Sequence, residues 1–122
     1  MRPRIDATDF GSITVGGRVF DHDVVISPDG EVTKRKKKLS KAVYGTSHTI
    51  SLHEAKYVYG QAAAADRLIV GAGQYGRVHL SPEAAEFFAR RAWEITLLPT
   101  PQVIGIWNKT EGRAVGLFHV TC

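Results

Sequence analysis

Two rhythms of apolar and polar positions run along this chain. From Phe10 to Val15 the alternation has period two, as in a strand with one buried face, and Gly16-Gly17 supplies a two-residue hairpin turn. Arg18 to Ser27 reads as the return strand, with Asp21-His22-Asp23 as a bulge or bend before Val24-Val25-Ile26. Pro28-Asp29-Gly30 is a turn, and Glu31 to Lys36 a third antiparallel strand. The first third is therefore expected to be a β-meander, followed by a loop through Gly45 as far as Thr49.

Beyond that loop the rhythm becomes helical. Ser51-Leu52-His53-Glu54 forms a capping box, in which Ser51 accepts from the Glu54 backbone and the Glu54 side chain reaches back. Leu52, Ala55, Val58, Tyr59 and Ala62 recur at helical spacing, and Gly60 costs about 1 kcal/mol relative to alanine, so the helix ends or kinks there. Leu68-Ile69-Val70 is wholly apolar, as in a strand covered on both faces. Val78 to Leu80 is a short extended piece. Ser81-Pro82 opens a helix with Ala84, Ala85, Phe88 and Ala92 on its apolar face. Glu94 to Leu98 is a strand, and Thr100-Pro101 repeats the cap-plus-proline device ahead of Val103, Ile104 and Trp107. Gly112 ends that helix, and Arg113 to Val120 is the closing strand.

From Leu68 onward the order is strand, helix, strand, helix, strand. Connections this short require parallel strands joined by right-handed crossovers. The expected fold class is α/β: an N-terminal β-meander joined to a small β-α-β-α-β unit, in one domain spanning residues 1–122. Apart from the alanine tract Ala62 to Ala65, no repeat or low-complexity linker interrupts it.

Composition narrows the setting. A hydrophobic fraction of 43% with 23% charged residues suits a globular chain, and no apolar run approaches the roughly 20 residues of a membrane helix. No hydrophobic segment of the secretory kind follows Met1. Cys122 is the only cysteine, which excludes an internal disulfide and makes a reducing, cytoplasmic location the expectation. The net charge of +4 is local: Lys34, Arg35, Lys36, Lys37, Lys38 and Lys41 supply six of 16 basic residues, leaving 10 against 12 acidic elsewhere, a balance of −2.

Gly71-x-Gly73-x-x-Gly76 spells the dinucleotide fingerprint, but its context does not fit. The third glycine should open a helix that holds the pyrophosphate, yet Arg77 to Ser81 intervene before the next helix signal. The following strand ends in Leu98-Pro99 rather than in the acidic residue that binds ribose. A plain turn or a small anion nest is the better reading, and no cofactor is expected. The strand ends do suggest a shallow pocket for an anionic small molecule. Gly71, Gly73 and Gly76 would meet Thr100 and the His119–Cys122 segment there, with Gln74 and Tyr75 as side-chain contacts. His119 and Cys122 fall on opposite faces of one strand, and no orienting group stands near in sequence, so no catalytic residue is assigned. His22, His48 and His53 lack metal-site spacing, and no metal is expected. The basic segment Lys34–Lys38 with Lys41 offers contacts to phosphates or an acidic partner, or simply a solvated strand edge protected against pairing.

Phe10-Gly11-Ser12-Ile13, Val25-Ile26-Ser27-Pro28, Val70-Gly71-Ala72-Gly73-Gln74, Pro99-Thr100-Pro101, Asn108 and Gly116-Leu117-Phe118-His119-Val120-Thr121-Cys122 resemble domain of unknown function 498 over nearly the whole chain. That family includes an adipogenesis-associated mammalian protein and, more distantly, a mitochondrial complex I assembly factor. The resemblance implies a three-layer α/β arrangement around a mixed central sheet, and it supplies no catalytic mechanism. Asn108, one of the residues that carry it, is counted with the candidate pocket. The lysine run is not shared with the mammalian member. The first functional expectation is a non-enzymatic protein-interaction or assembly-type module, with a protein partner and no membrane. The second is a binder or enzyme of a small anionic molecule at the Gly71/Thr100/His119 edge. The third is nucleic-acid contact through Lys34–Lys38.

Overall fold

The computed structural model describes residues 2–62 and 64–122, which include ten strands and four helices. The chain runs β1 (Ile5–Asp9), β2 (Ser12–Val15), β3 (Arg18–Phe20), β4 (Val24–Ile26), β5 (Val32–Lys34), α1 (Lys38–Tyr44), β6 (Thr49–Ile50) and α2 (Leu52–Gln61). It continues with β7 (Arg67–Ala72), β8 (His79–Leu80), α3 (Pro82–Arg90), β9 (Glu94–Leu98), α4 (Thr100–Lys109) and β10 (Ala114–His119). The central sheet has the order β5-β4-β10-β7-β9: β10, β7 and β9 run parallel, whereas β4 and β5 are antiparallel to their neighbours. The mixed α/β architecture is the one expected.

Side-chain alternation on β10 shows why there are three layers. Val115 and Leu117 join Leu68 and Val70 on one face, beneath Ala55 and Val58 of α2 and Ala84 and Phe88 of α3. Ala114 and Phe118 join Ile69 on the other, beneath Val103 and Trp107 of α4 and Ile5, Ile13 and Val15 of the small sheet. Ser81 caps α3 as expected, its hydroxyl accepting from the Ala84 N–H at 3.1 Å.

The N-terminal third departs from a single meander. β1, β2 and β3 form their own antiparallel sheet, while β4 and β5 leave it for the central one. The departure falls at Asp21-His22-Asp23, where Asp23 turns inward and is buried. A period-two pattern marks a strand but carries no label for the sheet that receives it. β1 was not expected because Ile5-Asp6-Ala7-Thr8-Asp9 has only one large apolar residue, Ile5; Asn108 holds the strand, accepting from the Ile5 N–H and donating to the Ile5 carbonyl, both at 2.9 Å. Phe10 lies in the turn before β2 rather than in the strand, and α1 occupies part of the expected loop. Of the alanine tract, Ala63 lies outside the described residues.

Gly116 sits where α4 crosses the sheet, and a Cβ there would lie 2.8 Å from the Trp107 ring and closer still to Phe118. Gly116→Ala should therefore lower unfolding free energy by about 2 kcal/mol through overpacking, read as a shift of the urea midpoint at constant slope.

Candidate functional site

α2 has a glutamate on its buried face. Glu54 lies beside Ala55 and one turn before Val58, and is fully buried. A carboxylate in that position is costly unless a cation meets it. Arg35, just past β5, does so with a fork: Nε donates to Glu54 Oε2 at 2.7 Å and Nη2 to Oε1 at 3.0 Å. Its Nη1 donates to Asp23 Oδ2 at 2.9 Å, and Nη2 also reaches the Ser47 carbonyl at 2.8 Å. Asp23 and Arg35 face each other because the β4–β5 ladder extends by one step, the Arg35 N–H donating to the Asp23 carbonyl.

Asp23 links this fork to β10. Its Oδ2 accepts from His119 Nδ1 at 2.7 Å, and its Oδ1 accepts from the Val120 N–H at 2.9 Å. Burial alone pushes the Asp23 carboxyl up. The His119 hydrogen bond and charge, the Val120 N–H and Arg35 outweigh it and hold the group at about 2. An ionised carboxylate only accepts, so His119 carries its proton on Nδ1, and Nε2 faces the Thr121 hydroxyl at 3.1 Å. The His48 ring stands edge-on to His119 with centroids 5.5 Å apart. Desolvation, then His119, Arg77 and Arg35, push the His48 pKa down. Burial also works against the Arg35 guanidinium, but Glu54 and Asp23 overcome it and raise its pKa.

The capping box at α2 is half formed. Ser51 Oγ accepts from the Glu54 N–H at 3.2 Å, yet the Ser51 N–H goes to Ser40 Oγ at 2.9 Å. Ser40 Oγ in turn donates to Glu54 Oε1 at 2.5 Å. Glu54 serves Arg35 instead of its own helix end, because a buried cation is a stronger partner than a backbone amide.

The rim expected to form a pocket is assembled and then filled. Gly71, Gly73, Thr100 and His119 do meet at the carboxyl ends of β7 and β10. Thr100 Oγ1 accepts from the Gly73 N–H at 2.9 Å and donates to the His119 carbonyl at 2.7 Å. Thr100 is thus a buried strut rather than the expected N-cap, a position held by Pro99. Thr121–Cys122 lies in the remaining space: the Gln74 N–H donates to the Thr121 carbonyl at 2.7 Å, and Tyr75 and Arg77 donate to that of Cys122 at 3.0 and 3.3 Å. Gly73 has φ +97°, and a Cβ on it would overlap the Cys122 carbonyl group. Gly76 packs on the Pro99 ring. Gln74 turns away to donate to Thr8 Oγ1 at 3.0 Å, and Tyr75 is exposed beside Phe10. Asn108 is not at this rim; it clamps β1 at the far end of α4.

The family described as protein of unknown function (DUF498/DUF598) matches residues 5–119. The chain belongs to this family. A conserved hypothetical protein from Pyrococcus horikoshii OT3 is 32% identical, with a TM-score of 0.89 over 98% of this chain and 99% of that one. A protein designated MT938 is 29% identical, with a TM-score of 0.80 over 98% and 99% of the two chains. A Mth938-like domain from Bordetella pertussis, 16% identical, shares the fold with a TM-score of 0.59 over 97% of this chain and 85% of that one. No curated protein matches the chain.

In this DUF498 member the basic segment divides in two. Arg35 was expected on a basic surface and is instead buried, its donors spent on Glu54, Asp23 and Ser47. Lys34 stands on edge strand β5, Lys36 and Lys37 on the turn, Lys38 and Lys41 on α1; Lys37 is half-buried and the other four are exposed. Sequence reasoning missed Asp23, Ser40 and Glu54. Glu54 on the apolar face of a helix was the available signal, and Asp23, two positions before Val25, was the second. Among the described residues no group of metal-ligating side chains has the makings of a cation site, and no helix is long and apolar enough to cross a membrane.

Arg35→Met should cost about 3–5 kcal/mol, since it strands two buried carboxylates, whereas Lys34→Ser should stay within about 0.5 kcal/mol. Denaturant titration of both variants distinguishes the buried cation from its exposed neighbour. Asp23 has a folded pKa of about 2 against an ordinary 3.8, so its contribution is complete above that ordinary value and disappears as pH falls through the folded one. Between pH 5 and pH 2 the protein should lose about 2 kcal/mol through this group, a slope that Asp23→Asn removes.

Proposed function

We propose that this DUF498 domain is a non-enzymatic interaction module that docks an acidic protein segment on the face made by the β5–α1 turn and α1. The observation that carries the reading is the partition of charge around Arg35. Asp23, Glu54 and His119, the titratable groups bonded around Arg35, are buried, whereas the neighbouring lysines are exposed or, at Lys37, half-buried. Beside those lysines α1 exposes Val43 at 54% and Tyr44 at 40%. An apolar pair with a cationic rim has the composition of a protein-binding patch, and the rim selects an acidic partner. The aliphatic Val43 has no stacking role, which favours a protein over a nucleic acid.

Affinity capture by the tagged full chain from its native host, repeated with variants, tests this. A specific protein should be recovered with the parent and with Phe10→Ser/Tyr75→Ser, but about tenfold less with Val43→Asp/Tyr44→Ser. Its recovery should survive nuclease. Identical recovery with both variants, or release by nuclease, overturns the reading.

A further inference from the structure

The turn from β5 into α1 encloses a hollow of about 280 Å³, lined by Lys34, Arg35, Lys36, Lys37 and Lys38. Every residue lining it carries a cationic side chain, with aliphatic stems making up most of the lined surface. Arg35 is unavailable, because each of its side-chain nitrogens already donates to Glu54, Asp23 or Ser47. Arg35 therefore fixes the shape of the hollow without binding in it. The turn is further held by α1, where Ser40 ties to Glu54 and Ser51. Among the described residues no ion pair involves a lysine of this segment. Four lysines fall within five residues on this turn, and an anion of similar charge would offset the like charges they carry.

We infer that this hollow binds a compact polyphosphate anion, the size of a triphosphate group. Three features select that class. The donors are lysines, which act as point charges on phosphate, and the planar arginine fork suited to carboxylates is already consumed. Outside this segment and Lys41 the chain carries −2 by formal count, which disfavours the extended basic surface that a nucleic-acid backbone needs. The hollow's volume accommodates a short chain of phosphoryl groups rather than an extended polymer. The inference shares its lysines with the docking face proposed above but does not use Val43 or Tyr44.

Isothermal titration of the full chain with inorganic tripolyphosphate tests it, with citrate as the carboxylate control. Saturable binding is expected, at least about tenfold tighter than citrate, weakening as salt rises. Lys36→Ser/Lys37→Ser/Lys38→Ser should abolish it with an unchanged circular dichroism spectrum, while Val43→Asp/Tyr44→Ser should bind as the parent does. That second variant separates the two readings: undiminished protein capture by it sinks the docking face alone, and failure of the parent chain to bind tripolyphosphate sinks the anion site alone. Equal affinity for citrate, or no binding of tripolyphosphate, overturns the inference. Two further arms locate the phosphate. Binding about tenfold tighter to a 20-nucleotide single strand, or to phosphatidylcholine vesicles carrying phosphatidylinositol 4,5-bisphosphate, would place it on a polymer or a membrane and overturn the compact-anion assignment.

Discussion

A guanidinium with no exposed side-chain surface is the constraint around which the rest of this molecule is arranged. Removing Arg35 from water is costly, and the chain meets the cost with two carboxylates and a carbonyl drawn from three separate segments. Through them β5, β4, the loop before β6 and α2 become parts of one arrangement, and Asp23 extends it to β10 by way of His119 and Val120. Apolar packing alone tolerates small slides of a helix across a sheet. A bidentate pair does not, so Glu54 sets where α2 lies along the sheet while Ala55 and Val58 bury its face.

The glycine turn after β7 is organised by packing in the same way. Gly73 adopts a backbone conformation closed to most side chains and lies against Thr121–Cys122, while Thr100 bridges β7 and β10 from the start of α4. The crevice that open α/β sheets usually present at this edge is occupied by the chain itself. The outward-facing lysines lie elsewhere, at the β5–α1 turn. The same arginine that closes the interior there holds the lysines on either side of it in place.

Family relationships fit that division. The fold persists from the 32% identical Pyrococcus protein to the 16% identical Bordetella domain. Persistence of a fold does not carry a function with it, and the exposed lysines and α1 apolar residues are features of this chain's own surface.

Much of the architecture could be read directly from the residues, because it depends on neighbours in sequence. The strands β2, β3, β7, β9 and β10, the helices α2, α3 and α4, the Gly16-Gly17 hairpin and the Ser81-Pro82 cap all follow from local periodicity and turn chemistry. The short links after β7 required parallel pairing, and β7, β9 and β10 are parallel. Three things came only with the tertiary structure. The transfer of β4 and β5 into the central sheet depends on the partner strand β10, about 90 residues away. The role of Arg35 was hidden within a run of lysines, since burial is a property of what packs over a residue and not of its neighbours in sequence. The filling of the glycine rim required knowing where Thr121–Cys122 lies, and chain closure of that kind leaves no periodic trace. Local rules determined the pieces; which charges would meet was decided by long-range contacts that no window of sequence contains.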